Sequence, residues 1–240
     1  MTKIKAFGVH VMFTMVLMAV LVTVMLSTWY VNPFGQLTNR YLVLSLVCLS
    51  LLIFPCLTAL VYQPNKKSLV TDIMVIVLLQ LSVLLSGVYI LAQLRPAWLV
   101  LMHTKLHMVR PIDIRNIEGN NYHMPIGQQP WYGPRYMTLK KSITNTDKTL
   151  LNDAIFYGSA ALYPQLLEPL EMSNLYQYRW SLDDIYDQKL KEILKHQYPM
   201  VGYYIPIVGS HGKEIAMVLF TDSNDLIDVY VPDFLSNENK

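Results

Sequence analysis

Charge is what this sequence has least of. Only 15% of its 240 residues are Asp, Glu, Lys or Arg, against about 25% in an ordinary globular chain, while 53% are hydrophobic. Acid is rarer still at one end: residues 1 to 94 hold one acidic side chain, Asp72, and five basic ones, Lys3, Lys5, Arg40, Lys66 and Lys67. The other 14 basic and 16 acidic residues lie in 95 to 240, so the net charge of +2 divides into +4 and −2. No basic stripe is left to follow a phosphate backbone, which excludes a nucleic-acid binder. Cysteine is scarce too. Both of its residues, Cys48 and Cys56, lie in the apolar part, so residues 95 to 240 have no disulfide framework and rely on an ordinary core. Glycine-rich phosphate loops are missing as well, and Ser159 in Tyr157-Gly158-Ser159-Ala160 lacks the flanking glycines of a nucleophile elbow.

What is present in place of charge is three long apolar runs. Ala6 to Val31, Tyr41 to Tyr62 and Ile73 to Leu94 contain no charged residue over 26, 22 and 22 positions, and about 20 suffice to cross a bilayer. The predicted anchor is therefore residues 1 to 94, with spans at about 6–31, 41–62 and 70–94. Lys and Arg are retained on the cytoplasmic side. Lys3 and Lys5 before the first span and Lys66 and Lys67 in the second link set the topology: N-terminus inside, residues 95 to 240 outside. In a bacterium the outside is the periplasm. Trp29, Tyr30 and Trp98 are expected at the outer headgroup boundary. The first run is too long, and too poor in small residues near its end, for a cleaved signal peptide. Asp72 reads as an interfacial helix cap, Pro55 as a kink, and Gln80 and Gln93 as polar glue between helices.

Residues 95 to 240 read as an α+β domain with a mainly antiparallel sheet. Ala97 to Val109 predicts one strand, and Asn116 to Tyr136 a long loop. A helix is expected from Asp147, and a second from Ser181, where Ser181-Leu182-Asp183-Asp184 resembles a capping box with Asp183, Asp184 and Asp187 in the first turn. Residues 201–208, 214–221 and 226–231 alternate as three strands of a meander, with turns at Ser210-His211-Gly212 and Asp222-Ser223-Asn224-Asp225.

Little here carries chemistry. His103 and His107 are four apart, a spacing that could ligate zinc on a helix, but the segment reads as a strand with no adjacent Glu-His partner motif, and they read as polar strand positions. The residues that stand out are aromatic and cationic: Trp131, Tyr132 and Arg135, with Arg95 just ahead of the first strand and Trp98 at its start. Trp, Tyr and Arg dominate binding hot spots, so these five form the expected partner-binding set. No catalytic residue, cofactor or metal is expected.

The residues Lys3-Ile4-Lys5-Ala6-Phe7, Tyr62 to Leu69 with its Pro-x-Lys-Lys link, Asp72, Leu78-Leu79-Gln80-Leu81, Gly87-Val88-Tyr89 and Ala92 to Val100 form a pattern. Val109-Arg110, Asp113-Ile114, Trp131, Gly133-Pro134-Arg135, Tyr204 to Ile207 and Gly212 continue it. Together they resemble the TfpX/TfpZ family of type IV pilin accessory proteins, with departures at His103 to His107 and Val231 to Phe234. The resemblance implies an inner-membrane protein that assists pilus assembly or display. It implies pilin as the partner, alongside other inner-membrane pilus components and the lipid bilayer, and no catalysis. The chain is not itself a pilin: Gly8 is followed by Val9, and the position of the family's glutamate is Phe13. The alternative function is a membrane-anchored ligand-binding or sensing domain.

Overall fold

A computed structural model describes residues 2–31, 34–37, 40–64, 66–114, 126–140, 163–209, 213–223 and 225–232. It divides the chain into two compact units. Residues 1–27 and 39–94 make one, and residues 28–38 and 95–240 the other.

The first unit is helical. Its elements are α1 (Lys3–Thr28), α2 (Arg40–Val61) and α3 (Leu69–Leu94), each long and apolar enough to cross a membrane. Their sequences are apolar on every side, so no periodic stripe selects an inner face. Polarity selects it instead. His10, Thr14, Thr58 and Gln80 are buried, while Met12, Val16, Leu52 and Leu85 face outward. α2 continues through Pro55, and α3 begins with Asp72 in its first turn, where the carboxylate meets Lys66 at 2.6 Å and accepts from Ser68 Oγ.

The second unit is built on one mixed sheet. Its strands are β1 (Trp98–Met102), β2 (Lys105–Val109), β3 (Arg135–Leu139), β4 (Leu167–Pro169), β5 (Trp180–Ser181), β6 (Val201–Val208), β7 (Glu214–Thr221) and β8 (Leu226–Tyr230). The order is β4-β3-β1-β2-β6-β7-β8. Among the described residues five pairings are antiparallel, and β1 with β3 and β2 with β6 are parallel. β5 and β2 share one edge of β6, pairing at Tyr203–Tyr204 and Ile207–Val208 respectively. Pro206, which has no N–H to donate, falls in the gap between them.

Both sheet faces are covered. Leu99, Leu101, Val218 and Phe220 enter a core with Leu106, Ile205 and Phe34, while Met217 and Leu219 face the other way onto Leu190 and Leu194. The latter pair comes from α5 (Gln188–Gln197), which follows the one-turn α4 (Met172–Leu175). Phe34 lies in a short 3-10 turn between the first two long helices and meets Tyr136 edge-on at 6.2 Å. That link therefore supplies side chains to the sheet core.

The sequence reading needs correction in three places. Residues 97–109 form the hairpin β1–β2, not one strand, turning at His103 and Thr104 with Met102 opposite Lys105. His103 adopts φ 58, in the left-handed region, which His enters more readily than most non-glycine residues. It is thus a turn residue and not a strand position. The capping residue Ser181 accepts from Asp183 N, but what it caps is a 3-10 turn. The α-helix starts later, with Asp187 as N-cap accepting from the N–H groups of Lys189 and Leu190. Asp183 lies outside that helix and pairs with Lys191 and Lys195, which hold its carboxyl below the usual range. Finally, β3 begins at Arg135, inside the expected loop. The helix expected from Asp147, Ser159 and the turn at 210–212 lie outside the described residues.

Candidate functional site

The five residues singled out for partner binding divide in two. Arg95 and Trp98 point inward. Arg95 is 1% exposed, although a lone guanidinium is costly to bury. Its neighbours compensate in part: Nη2 donates to the Pro130 carbonyl at 2.6 Å and approaches Gln129 Oε1 at 3.5 Å, and the guanidinium carbon lies 4.7 Å from the centroid of the Trp29 ring. These are acceptors and a π face, none of them anionic. Burial accordingly pulls the Arg95 pKa down to about 10, opposed by Tyr30. Trp98 packs with Ala97, Val100, Val109, Ile114 and Leu167.

Trp131, Tyr132 and Arg135 are exposed, the first two at 52% and 67%. Two anchors fix this segment. Pro130 on one side is held by Arg95, and on the other Gly133 donates its N–H to the Thr28 carbonyl at 2.6 Å. Gly133 has φ +40, a conformation that would strain any residue with a Cβ. β3 then continues in register with β1, with Arg135 opposite Trp98 and its N–H bonded to the Ala97 carbonyl. Arg95 and Trp98 are therefore positioning residues, and the accessible part of the set is Trp131, Tyr132 and Arg135. Trp29, Tyr30 and Trp98, expected to face a headgroup boundary, are instead buried against protein.

In the helical unit a polar cluster emerges that the sequence reading named only in part. His10 of α1 bonds both other helices: Nε2 lies 2.8 Å from Gln80 Oε1 of α3, and Nδ1 2.6 Å from Thr58 Oγ1 of α2. Gln80 Nε2 then donates to Thr14 Oγ1 at 3.0 Å. Because a carbonyl oxygen only accepts, His10 donates from Nε2. Nδ1 is paired with the Thr58 hydroxyl, so both ring nitrogens have a partner. Gln80 is thus glue between helices, as its type suggests. Gln93 is buried, yet its amide finds no partner among the described residues. His10 was legible as the single histidine of the first 94 residues, but its partners lie 48 and 70 residues away.

The cluster also orders the ends of the helices. His10 lies two turns from Lys3, and Thr58 one turn from the end of α2. Their bond brings the exposed Lys3 and Lys5 to the same end of the unit as Lys66 and Lys67. Among the described residues no group of three or more His, Cys, Asp or Glu side chains is placed to hold a metal ion.

Compared with known proteins, the chain matches no described family, no curated protein and no solved structure.

Proposed function

We propose that this chain is a bacterial inner-membrane accessory protein that binds type IV pilin and assists its assembly, stability or surface display. In this reading the three helices cross the bilayer, the lysine-bearing end faces the cytoplasm, and the sheet unit works in the periplasm. The pilin assignment rests on the TfpX/TfpZ resemblance in the sequence.

One observation supports a helical partner. Between α2 and α3 runs a groove of about 480 Å³, lined by Leu42, Ser45, Leu49, Ser82, Ser86 and Gly87. Small residues let helix backbones approach closely in lipid. Each serine hydroxyl is already spent within its own helix: Ser45 donates to Leu42 O, Ser82 to Leu78 O and Ser86 to Ser82 O. The groove therefore offers a dry, shallow surface with no unmet donor, suited to the hydrophobic N-terminal helix of a pilin subunit before extraction.

Affinity capture from membranes of a piliated strain tests the reading. The tagged chain should bring down major pilin, Ser86→Leu should fill the groove and reduce that capture several-fold, and deletion should lower sheared surface pilin. Unchanged sheared pilin and twitching in the deletion strain would overturn the pilus function. Undiminished capture by Ser86→Leu would remove the groove from it.

A further inference from the structure

A chain that spans a membrane is expected to seat amphipathic aromatics at the headgroup layer. The nearest such residues in sequence are unavailable, since Trp29 and Tyr30 are each 5% exposed. Trp131 and Tyr132 are available. They are remote in sequence from the end of the first apolar run, but Gly133, the next residue, is hydrogen-bonded at 2.6 Å to the carbonyl of Thr28, the last residue of α1. If α1 spans, Thr28 lies at the boundary, and a residue bonded to it lies within a few ångströms of the same depth.

Three further observations agree. Val31, also exposed, lies against the same turn: a Cβ built on Gly133 would be 3.7 Å from its side chain. The exposed apolar surface therefore has contributions from two chain segments. The pair is also held on both sides, by Arg95 through the Pro130 carbonyl and by Thr28 through Gly133, so little backbone freedom is lost on binding. The side chains themselves suit an interface, with an indole N–H and a phenol O–H on large apolar bodies.

We infer that Val31, Trp131 and Tyr132 form a lipid-contact surface, with the two aromatic rings inserted at the outer headgroup layer beside the end of α1. This rests on the three helices crossing the bilayer and is independent of pilin. Arg95 is a positioning residue for it, fixing the strap that carries Trp131. A protein partner would use the same rings, but nothing about a protein partner requires them to be fastened to the end of an apolar helix.

The experiment uses the full chain with Cys48→Ala and Cys56→Ala, because both thiols are exposed, in nanodiscs of phosphatidylcholine and phosphatidylglycerol. Nitroxide labels are placed singly at Trp131→Cys, Tyr132→Cys and, as a water-exposed control, Tyr186→Cys. Labels at 131 and 132 should collide with a soluble nickel chelate several-fold less often than the label at 186, and more often with oxygen. Unlabelled chain gives a second measurement that needs no cysteine. A headgroup-nitroxide lipid should quench wild-type tryptophan emission more than that of Trp131→Phe. Chelate accessibility at 131 and 132 equal to that at 186, with equal quenching of wild type and Trp131→Phe, would overturn the inference. Shielding of the 131 label that arises only on adding purified pilin would overturn it as well, assigning the pair to a protein contact.

Discussion

The two units of this chain invert each other. In the helical unit the outside is apolar and the inside partly polar: among the described residues, 24 of the 31 large hydrophobic side chains that are exposed belong to it, and so do six of the eight buried polar or charged residues. In the sheet unit Val218, Leu219, Phe220 and Ile205 are buried completely, and the buried polar residues among those described are Arg95 and Gln129. The difference teaches what each unit uses to choose a single packing. Water drives apolar groups into the sheet core, whereas helices long and apolar enough to cross a membrane would, in hydrocarbon, gain nothing from that exchange and be selected by close packing and by hydrogen bonds such as those of His10.

Truncation of a core side chain should separate the units most clearly. Phe220→Ala removes a ring packed edge-on against Tyr176 at 5.8 Å and should cost ~3–5 kcal/mol. Leu85→Ala, on an exposed side of α3, should stay within ~0.5 kcal/mol. Chemical unfolding of the full chain in detergent micelles, followed by circular dichroism, measures both; similar losses at the two sites would abolish the contrast. A smaller effect belongs to the polar cluster. His10→Leu, Gln80→Leu and the double variant should give a coupling of ~0.6 kcal/mol, with ~1.7 as the ceiling for such pairs. Strict additivity would show that the bond between them selects nothing.

The smallest effect concerns protons in the sheet unit. His107 has its pKa lowered by burial, then by His103 and Lys105. The folded state therefore resists a proton that the unfolded chain accepts near pH ~6.5. Stability should decline as the pH falls through that value toward the folded pKa, and His107→Gln should flatten the slope. A slope unchanged in the variant would assign the dependence elsewhere.

Much of this was legible in the sequence where one signal ran unopposed. The three expected spans, 6–31, 41–62 and 70–94, match α1, α2 and α3 to within three residues at each end, because long uncharged apolar stretches are the strongest signal a sequence carries. β6, β7 and β8 were legible from their period of two and from the polar turn at Asp222. Elsewhere a signal was missing or displaced. The β1–β2 turn has His103 and Thr104 where a hairpin usually shows Gly, Asn or Asp. β4 has three residues and ends in Pro169, too short to show a period. Of the partner-binding set, composition picked out the aromatic segment, but burial decides its roles. Arg95 and Trp131 look alike as hot-spot residues in a sequence, yet one is a buried strut and the other an exposed ring. Phe34 carries the same lesson, since nothing in a nine-residue link announces a core contact.

The position of the β1–β2 hairpin bears on how the molecule is made. It leaves α3 first, yet it occupies the middle of the sheet, with β3 on one side and β6 on the other. β6 lies roughly a hundred residues downstream, where Leu106 meets Ile207. A chain delivered from its N-terminus can cover the β1 edge of this hairpin early, with β3, but waits with the β2 edge open until β6 has arrived, and joining distant segments is the slow step of folding. Open edges invite foreign strands. Shortening the chain from its C-terminal end removes the rim strand β8 first, then β7, and reaches a neighbour of the central hairpin only with β6, so the sheet is completed from its middle outward and only once the last third of the chain is present.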